Sequence, residues 1–305
     1  LEIKSKPRVG GNIGVNRKEI NMSEIFTQLD HLIVAVEDLE IAENNYKKLF
    51  GMDSVWSGAH KELGTSNSLF NFKNTYFELL AATGEGLGAD LVNHYLTQDG
   101  EGLIGIVFAT DDIQKVKLSL EKKGFSMPNS SDGEGINNSD LKIRKWKNLF
   151  LPPELSRGLF SFVIEHTEGA LPSSQAYQSS SPSKLDHVVI NTNDADGLIS
   201  VYRDAFGIRL ALDKIIEHWN KRMLFLRLNK TTIEVIEEKN EHAPNDRLWG
   251  LAWEVASIKE THHRLSSEGV EITPIKSGVK KNTLVATVKS HNHNVPTLLI
   301  EHLNL

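Results

Sequence analysis

With no cysteine in its 305 residues, the chain must draw any nucleophilic, acid–base or metal-ligating chemistry from its 12 His and its 40 Asp and Glu. Disulfides, Cys-based zinc sites, Fe–S clusters and a Cys nucleophile are excluded. Two histidines stand out by position. His31 lies in LDHLIVAVED (29–38) and His187 in LDHVVINTND (185–194), 156 residues further on. The same offset carries Tyr46 to Tyr202, Phe50 to Phe206, Gly51 to Gly207 and Glu78 to Glu234. A second echo closes each half: FVIEH (162–166) and LLIEH (298–302) place Glu165 and Glu301 alike. A lone His in an apolar strand is usually a hydrogen-bonded core residue. Its recurrence with a Glu at a fixed later place shifts the balance toward ligation. A Glu that interrupts an apolar strand needs a cation or hydrogen-bond donors if its face is interior.

The elements around these residues follow from periodicity. LDHLIVAVED reads as a strand. LEIAENNYKKLFG has apolar residues at helical spacing, and Gly51 suits the helix stop. DSVWSGAH, SNSLFNF and TYFELLAA read as three strands, with Gly64 and Asn74 in the turns. That is β-α-β-β-β, and 102–125 and 249–270 open weaker copies of it. Modules fall at about 27–83, 102–168, 185–240 and 248–305. Residues 22–170 form a first domain and 185–305 a second, joined by a Ser-rich linker at 171–184. Residues 1–21 read as a leader or added segment ahead of Met22. They lack the apolar stretch of a secretory signal, so the expected location is the cytoplasm. The net charge of −6 does not suit nucleic acid, and no apolar run is long enough for a membrane span.

Four such modules, with a His in the first strand and a Glu in the fourth, resemble the vicinal oxygen chelate superfamily, which includes glyoxalase I, extradiol dioxygenases and bleomycin-binding proteins. HKELGTSNSLFNFKNTYFELLAA (60–82) is similar to the glyoxalase-like domain subgroup. The resemblance implies an α+β fold: four βαβββ modules forming two vicinal-oxygen-chelate-like domains, each with a U-shaped mixed sheet around a divalent metal. It implies metal ligands His31, Glu78 and Glu165 in the first half, and His187, Glu234 and Glu301 in the second. A further His usual in the family is replaced by Gly105 and Gly250. One His with carboxylates suits Mn, Mg, Ni or Zn, and argues against the two-His Fe site of extradiol ring cleavage. His60, near the expected cavity mouth, is a candidate for the missing ligand or a catalytic general base, against the alternative of a surface His. Thr65, Asn67 and His218 are candidates for contacting a small-molecule substrate, or for merely shaping turns. Modules of this family pair within a chain or across a homodimer, and the sequence leaves both open. The implied function is a metal-dependent lyase, isomerase or dioxygenase type of enzyme acting on a small oxygenated molecule. The alternative is a non-catalytic binding protein of the bleomycin-resistance type, in which Gly105 and Gly250 open room for the ligand.

Overall fold

The computed structural model describes residues 25–174, 179–217, 219–240 and 242–303. The first module runs β1 (Gln28–Ala35), α1 (Leu39–Phe50), β2 (Trp56–His60), β3 (Thr65–Asn71) and β4 (Tyr76–Ala82). Helix α1 starts where the Asp38 side chain accepts from the Ile41 amide. It ends at Gly51, whose left-handed backbone (φ 63°) returns its N–H to the Lys47 carbonyl. An additional helix, α2 (Leu87–Asp99), then precedes the second module. That module runs β5 (Gly102–Ala109), α3 (Ile113–Lys122), β6 (Ser131–Ile136), β7 (Ile143–Phe150), the short α4 (Pro153–Ser156) and β8 (Phe160–Glu168).

The second half repeats the plan. Its third module holds β9 (Pro182–Thr192), α5 (Ala195–Ile199), which continues as a π-helical turn (Ser200–Ala205), β10 (Arg209–Ile216), β11 (Lys221–Leu228) and β12 (Thr231–Glu237). The fourth holds β13 (Arg247–Val255), α6 (Ile258–Ser267), β14 (Lys276–Ser277), β15 (Thr283–Val288) and β16 (Thr297–His302). Strand β9 starts at Pro182, inside the stretch expected to be linker. Its first residues find partners on β13, Pro182 opposite Val255 and Lys184 opposite Glu254.

Each domain is one eight-stranded mixed sheet, ordered β2-β3-β4-β1-β5-β8-β7-β6 and β10-β11-β12-β9-β13-β16-β15-β14. Within a module the first and fourth strands are parallel; between modules β1 meets β5, and β9 meets β13, antiparallel. The first sheet goes beyond a U. Its two ends meet at a Gly58–Asn137 bridge, with the Asn138 amide donating to the Ser57 carbonyl at 2.7 Å. It is therefore nearly a closed barrel. The second sheet ends in the two-residue β14, and its other edge strand, β10, is largely exposed.

The outer faces of both sheets and their helices share one continuous core. Phe50 and Phe72 of the first domain pack on Trp253 of the second at ring separations of 5.2 and 4.2 Å. Burying each large apolar side chain contributes roughly 1.5–3 kcal/mol. Polar ties join the same junction. The Asn74 amide spans Leu185 and Thr231, and Arg157 donates to Asp194 and to the fully buried Asp246. The outer faces are used up in this way, which leaves the inner faces of the two sheets to carry a site.

Candidate functional site

Strand β1 carries a bulge. Leu29 pairs with Phe108 and His31 with Val107, so Asp30 is the extra residue. The bulge lets Asp30 reach the inner face together with its neighbour. Its Oδ1 accepts from His31 Nδ1 at 2.6 Å, and its Oδ2 accepts from His166 Nε2 at 3.0 Å. Burial alone would raise the Asp30 carboxyl. The bonds from His166 and His31 outweigh it and hold the group well below the usual carboxylate range. An ionised carboxylate only accepts, so His31 carries a proton on Nδ1, and in the neutral ring that leaves the Nε2 lone pair free.

That lone pair faces Glu78. Ile33 pairs with Glu78 across β1 and β4, so His31, Ile33 and Glu78 share the inner face. His31 Nε2 lies 3.4 Å from Glu78 Oε2, and both residues are buried. The other Glu78 oxygen accepts from Asn67 Nδ2 at 2.8 Å, while Asn67 Oδ1 is buried without a partner. His31 stacks on Tyr76 at 4.3 Å, and Phe162 meets it edge-on. Burial, and then the charge of Asp30, raise the Tyr76 hydroxyl well above its ordinary range, so it remains a neutral donor. Helix α2 closes part of this face, with Val92, Tyr95 and Leu96 packed beside Ile33, Leu80 and Ile164.

His60 lies on the same inner face, at the half-exposed end of β2, with Nδ1 3.0 Å from the buried Thr65 hydroxyl. The structure thus gathers His31, Glu78 and Asn67 at one point and His60 with Thr65 at another. It does not bring Glu165 to either. Glu165 is on the outer face, where its Oε2 accepts from the Ile113 amide at 2.8 Å and caps α3. Glu301 does the same for the Ile258 amide and α6. Both expectations as metal ligands are corrected by register. His31 and Gly105 each stand seven residues before their helix cap, Asp38 and Asp112. Ile33 pairs with Glu78, and its equivalent Val107 pairs with Phe162. Phe162, three residues before Glu165, is therefore the counterpart of Glu78, and an odd offset turns a side chain to the other face. By the same reasoning Gly250 and Leu298 answer His187 and Glu234. In each domain one module offers a His–Glu pair and the other offers none.

The two glycines open no space. A Cβ on Gly105 would lie 3.0 Å from Ile33, and one on Gly250 would lie 2.6 Å from the Pro296 carbonyl. This removes the argument that they make room for a ligand.

The second domain repeats the constellation in more open form. His187 Nδ1 donates to Asp186 Oδ1 at 2.8 Å, His302 Nε2 to Asp186 Oδ2 at 2.7 Å, and His187 Nε2 lies 3.8 Å from Glu234 Oε2. Burial raises the Glu234 carboxyl, only partly offset by His187. Asp186, Glu254 and His302 also converge, but Lys184 already neutralises Glu254 at 2.9 Å. His218 lies outside the described residues. A groove of about 430 Å³ runs along the domain junction past Tyr95, Glu101, Asn191, Asp246 and Trp249, and neither His–Glu pair lines it.

Sequence reasoning missed Asp30, Asp186, His166 and His302. The signal for the first two was present: Asp precedes His in both copies of LDH. Along their strands, alternation separates His166 and His302 from Glu165 and Glu301. That separation is real, but the histidines hold the inner face.

The Glyoxalase-like domain family matches residues 29–183, and the Glyoxalase/Bleomycin resistance protein/Dioxygenase superfamily matches 186–287. This chain belongs to that superfamily, with a glyoxalase-like first domain. No curated protein matches it. The glyoxalase-like chain is similar in fold to the Mn(II)-bound glyoxalase from Novosphingobium aromaticivorans (TM-score 0.62, 17% identity, covering 93% of this chain and 84% of that one). It is similarly close to a mutant 4-hydroxymandelate synthase from Streptomyces coelicolor (TM-score 0.65, 13% identity, 92% and 94%). A hypothetical protein from Staphylococcus aureus matches as well (TM-score 0.62, 13% identity, 90% and 99%). The four βαβββ modules and paired mixed sheets of this glyoxalase-like protein are those of the vicinal oxygen chelate fold. No described helix is long and apolar enough to cross a membrane.

Proposed function

We propose that this protein is a divalent-metal-dependent enzyme acting on a small oxygenated molecule, with its working site in the first domain. The observation that carries this reading is the buried His31 Nε2 facing Glu78 Oε2 at 3.4 Å, with Nδ1 anchored by Asp30. A ligating His typically gives its other N–H to a carboxylate in this way, and nitrogen with carboxylate oxygen suits Mn, Zn, Fe or Ni. The residues therefore fit a divalent ion as two protein donors, leaving other positions to water or to the substrate's own oxygens. Bound there, the ion would supply Lewis-acid stabilisation of a developing oxyanion. Asp30 fixes the ring and its tautomer, and Asn67 orients Glu78. His60, when its Nδ1 donates to Thr65, holds a free lone pair on Nε2 able to take a proton from bound substrate. A single His donor per site favours redox-neutral isomerase or lyase chemistry over oxygen activation. The second domain, with its His187–Glu234 separation of 3.8 Å and open face, serves as scaffold.

Metal analysis tests this directly. Chelator-treated protein titrated with Mn(II) and Zn(II) should take up one equivalent, lost at least tenfold in affinity in His31→Ala and Glu78→Gln and unchanged in His187→Ala. Uptake below about 0.1 equivalent, or uptake indifferent to His31, would overturn the reading.

A further inference from the structure

Arg144, on β7, is 5% exposed, yet it makes no ion pair among the described residues. Its guanidinium carbon lies 5.4 Å from the Trp56 ring and 5.5 Å from the Tyr76 ring. Its Nε is buried with no hydrogen-bond partner, and among the described residues the one polar side chain that meets the guanidinium is the neutral Tyr76 hydroxyl, which accepts from it. Ring faces offset only part of the cost of burying a cation. The buried carboxylates on the same inner face are already committed, Asp30 to two histidines and Glu78 to Asn67 and His31.

Tyr76 joins Arg144 to the candidate metal pair. His31 stacks on its ring at 4.3 Å, so the guanidinium stands no further from the imidazole than the sum of those two ring distances. The surroundings are flat and apolar. A Cβ on Gly135 would touch both Trp146 and Trp56, at 3.1 and 3.5 Å, which brings the two indoles together over that strand.

We propose that Arg144 is the recognition group for a small monocarboxylate with a flat apolar body, its carboxylate held on the guanidinium beside the His31–Glu78 site. The planar guanidinium fork matches a carboxylate, and the indole and phenol rings take the body. A dianion such as phosphate is disfavoured, because a single cation faces it while Asp30 and Glu78 already bring negative charge. This inference rests on the first-domain site proposed above and adds the chemical class of its ligand.

The test is titration of chelator-treated protein with benzoate, benzamide and inorganic phosphate, read by tryptophan fluorescence. Benzoate should quench saturably, benzamide should bind at least tenfold more weakly, and phosphate should not compete. Arg144→Met, close in volume and uncharged, should lose at least tenfold in benzoate affinity while its benzamide affinity stays within twofold. Arg144→Lys, which keeps the charge and loses the fork, should lose at least threefold, and it carries the test if the Met variant does not fold. Equal binding of benzoate and benzamide, benzoate affinity indifferent to Arg144, or stronger displacement by phosphate would each overturn the proposal. Metal uptake is measured separately. Intact benzoate binding without metal uptake would sink the metal reading alone, and metal uptake without benzoate binding would sink this one alone.

Discussion

Replacing Asp30 by Ala removes the acceptor of two hydrogen bonds at once, 2.6 Å from His31 and 3.0 Å from His166, at a residue that is 5% exposed. A hydrogen bond to a charged group contributes about 1.5–3 kcal/mol, so Asp30→Ala should cost about 3–6 kcal/mol at neutral pH. Asp186 supplies an internal control, since it bridges His187 and His302 in the same way but with a side chain 19% exposed. Water can replace more of what is lost there, and Asp186→Ala should cost about half as much. The pH dependence has a definite sign. Asp30 is held below its ordinary range in the folded chain, so its contribution is complete above about pH 4 and is lost as pH falls further. Urea unfolding followed by circular dichroism at pH 7 and at about pH 2 reads both effects, and the continuous core predicts a single transition. A cost for Asp30→Ala below about 1 kcal/mol, or one no greater than that of Asp186→Ala, would refute the reasoning.

Gly105→Ala should destabilise by about 1–3 kcal/mol through overpacking, because its Cβ would meet Ile33 at 3.0 Å and Phe160 at 3.1 Å; a neutral result in thermal unfolding would show that these neighbours yield. Glu234→Gln should raise stability by about 0.5–1 kcal/mol at pH 7, since burial penalises the charge. The gain should vanish in acid, where the wild-type carboxyl protonates, and a gain that persists there counts against the assignment. Glu165→Ala should lose about 1 kcal/mol of stability as α3 loses an acceptor at its first turn, with metal uptake unchanged. Reduced uptake would return Glu165 to the ligand set.

The repeat was legible because duplication leaves residue types at a fixed offset, and strand and helix periods are local. The inner pair His31 and Glu78 was legible for the same reason. Glu165 and Glu301 were misplaced because a likeness between strand endings does not fix register. Pairing with β5 and β13 does, and that is a long-range fact. Bulges at Asp30 and Asp186 are likewise invisible to strict alternation, which assigns them to the wrong face. Arg144 stands among lysines in KIRKWK, where nothing local separates a buried cation from solvated ones. The crowding at Gly105 and Gly250 comes from Ile33 and Pro296, 72 and 46 residues away in sequence.

The seam that closes the first sheet has a kinetic consequence. Among the described residues, the Gly58–Asn137 bridge, the Asn138 amide, the Asn137 side chain on the Ser57 amide and the Asn138 side chain on the Ser57 hydroxyl are the hydrogen bonds that join β2 to β6. Every other strand boundary in that barrel is a full ladder. Unzipping the seam breaks few bonds and leaves both flanking hairpins whole, so it should cost less than parting any ladder. Ligand exchange would then keep time with the seam rather than with diffusion, and the hydrogen-exchange rate of the Asn138 amide would serve as its clock.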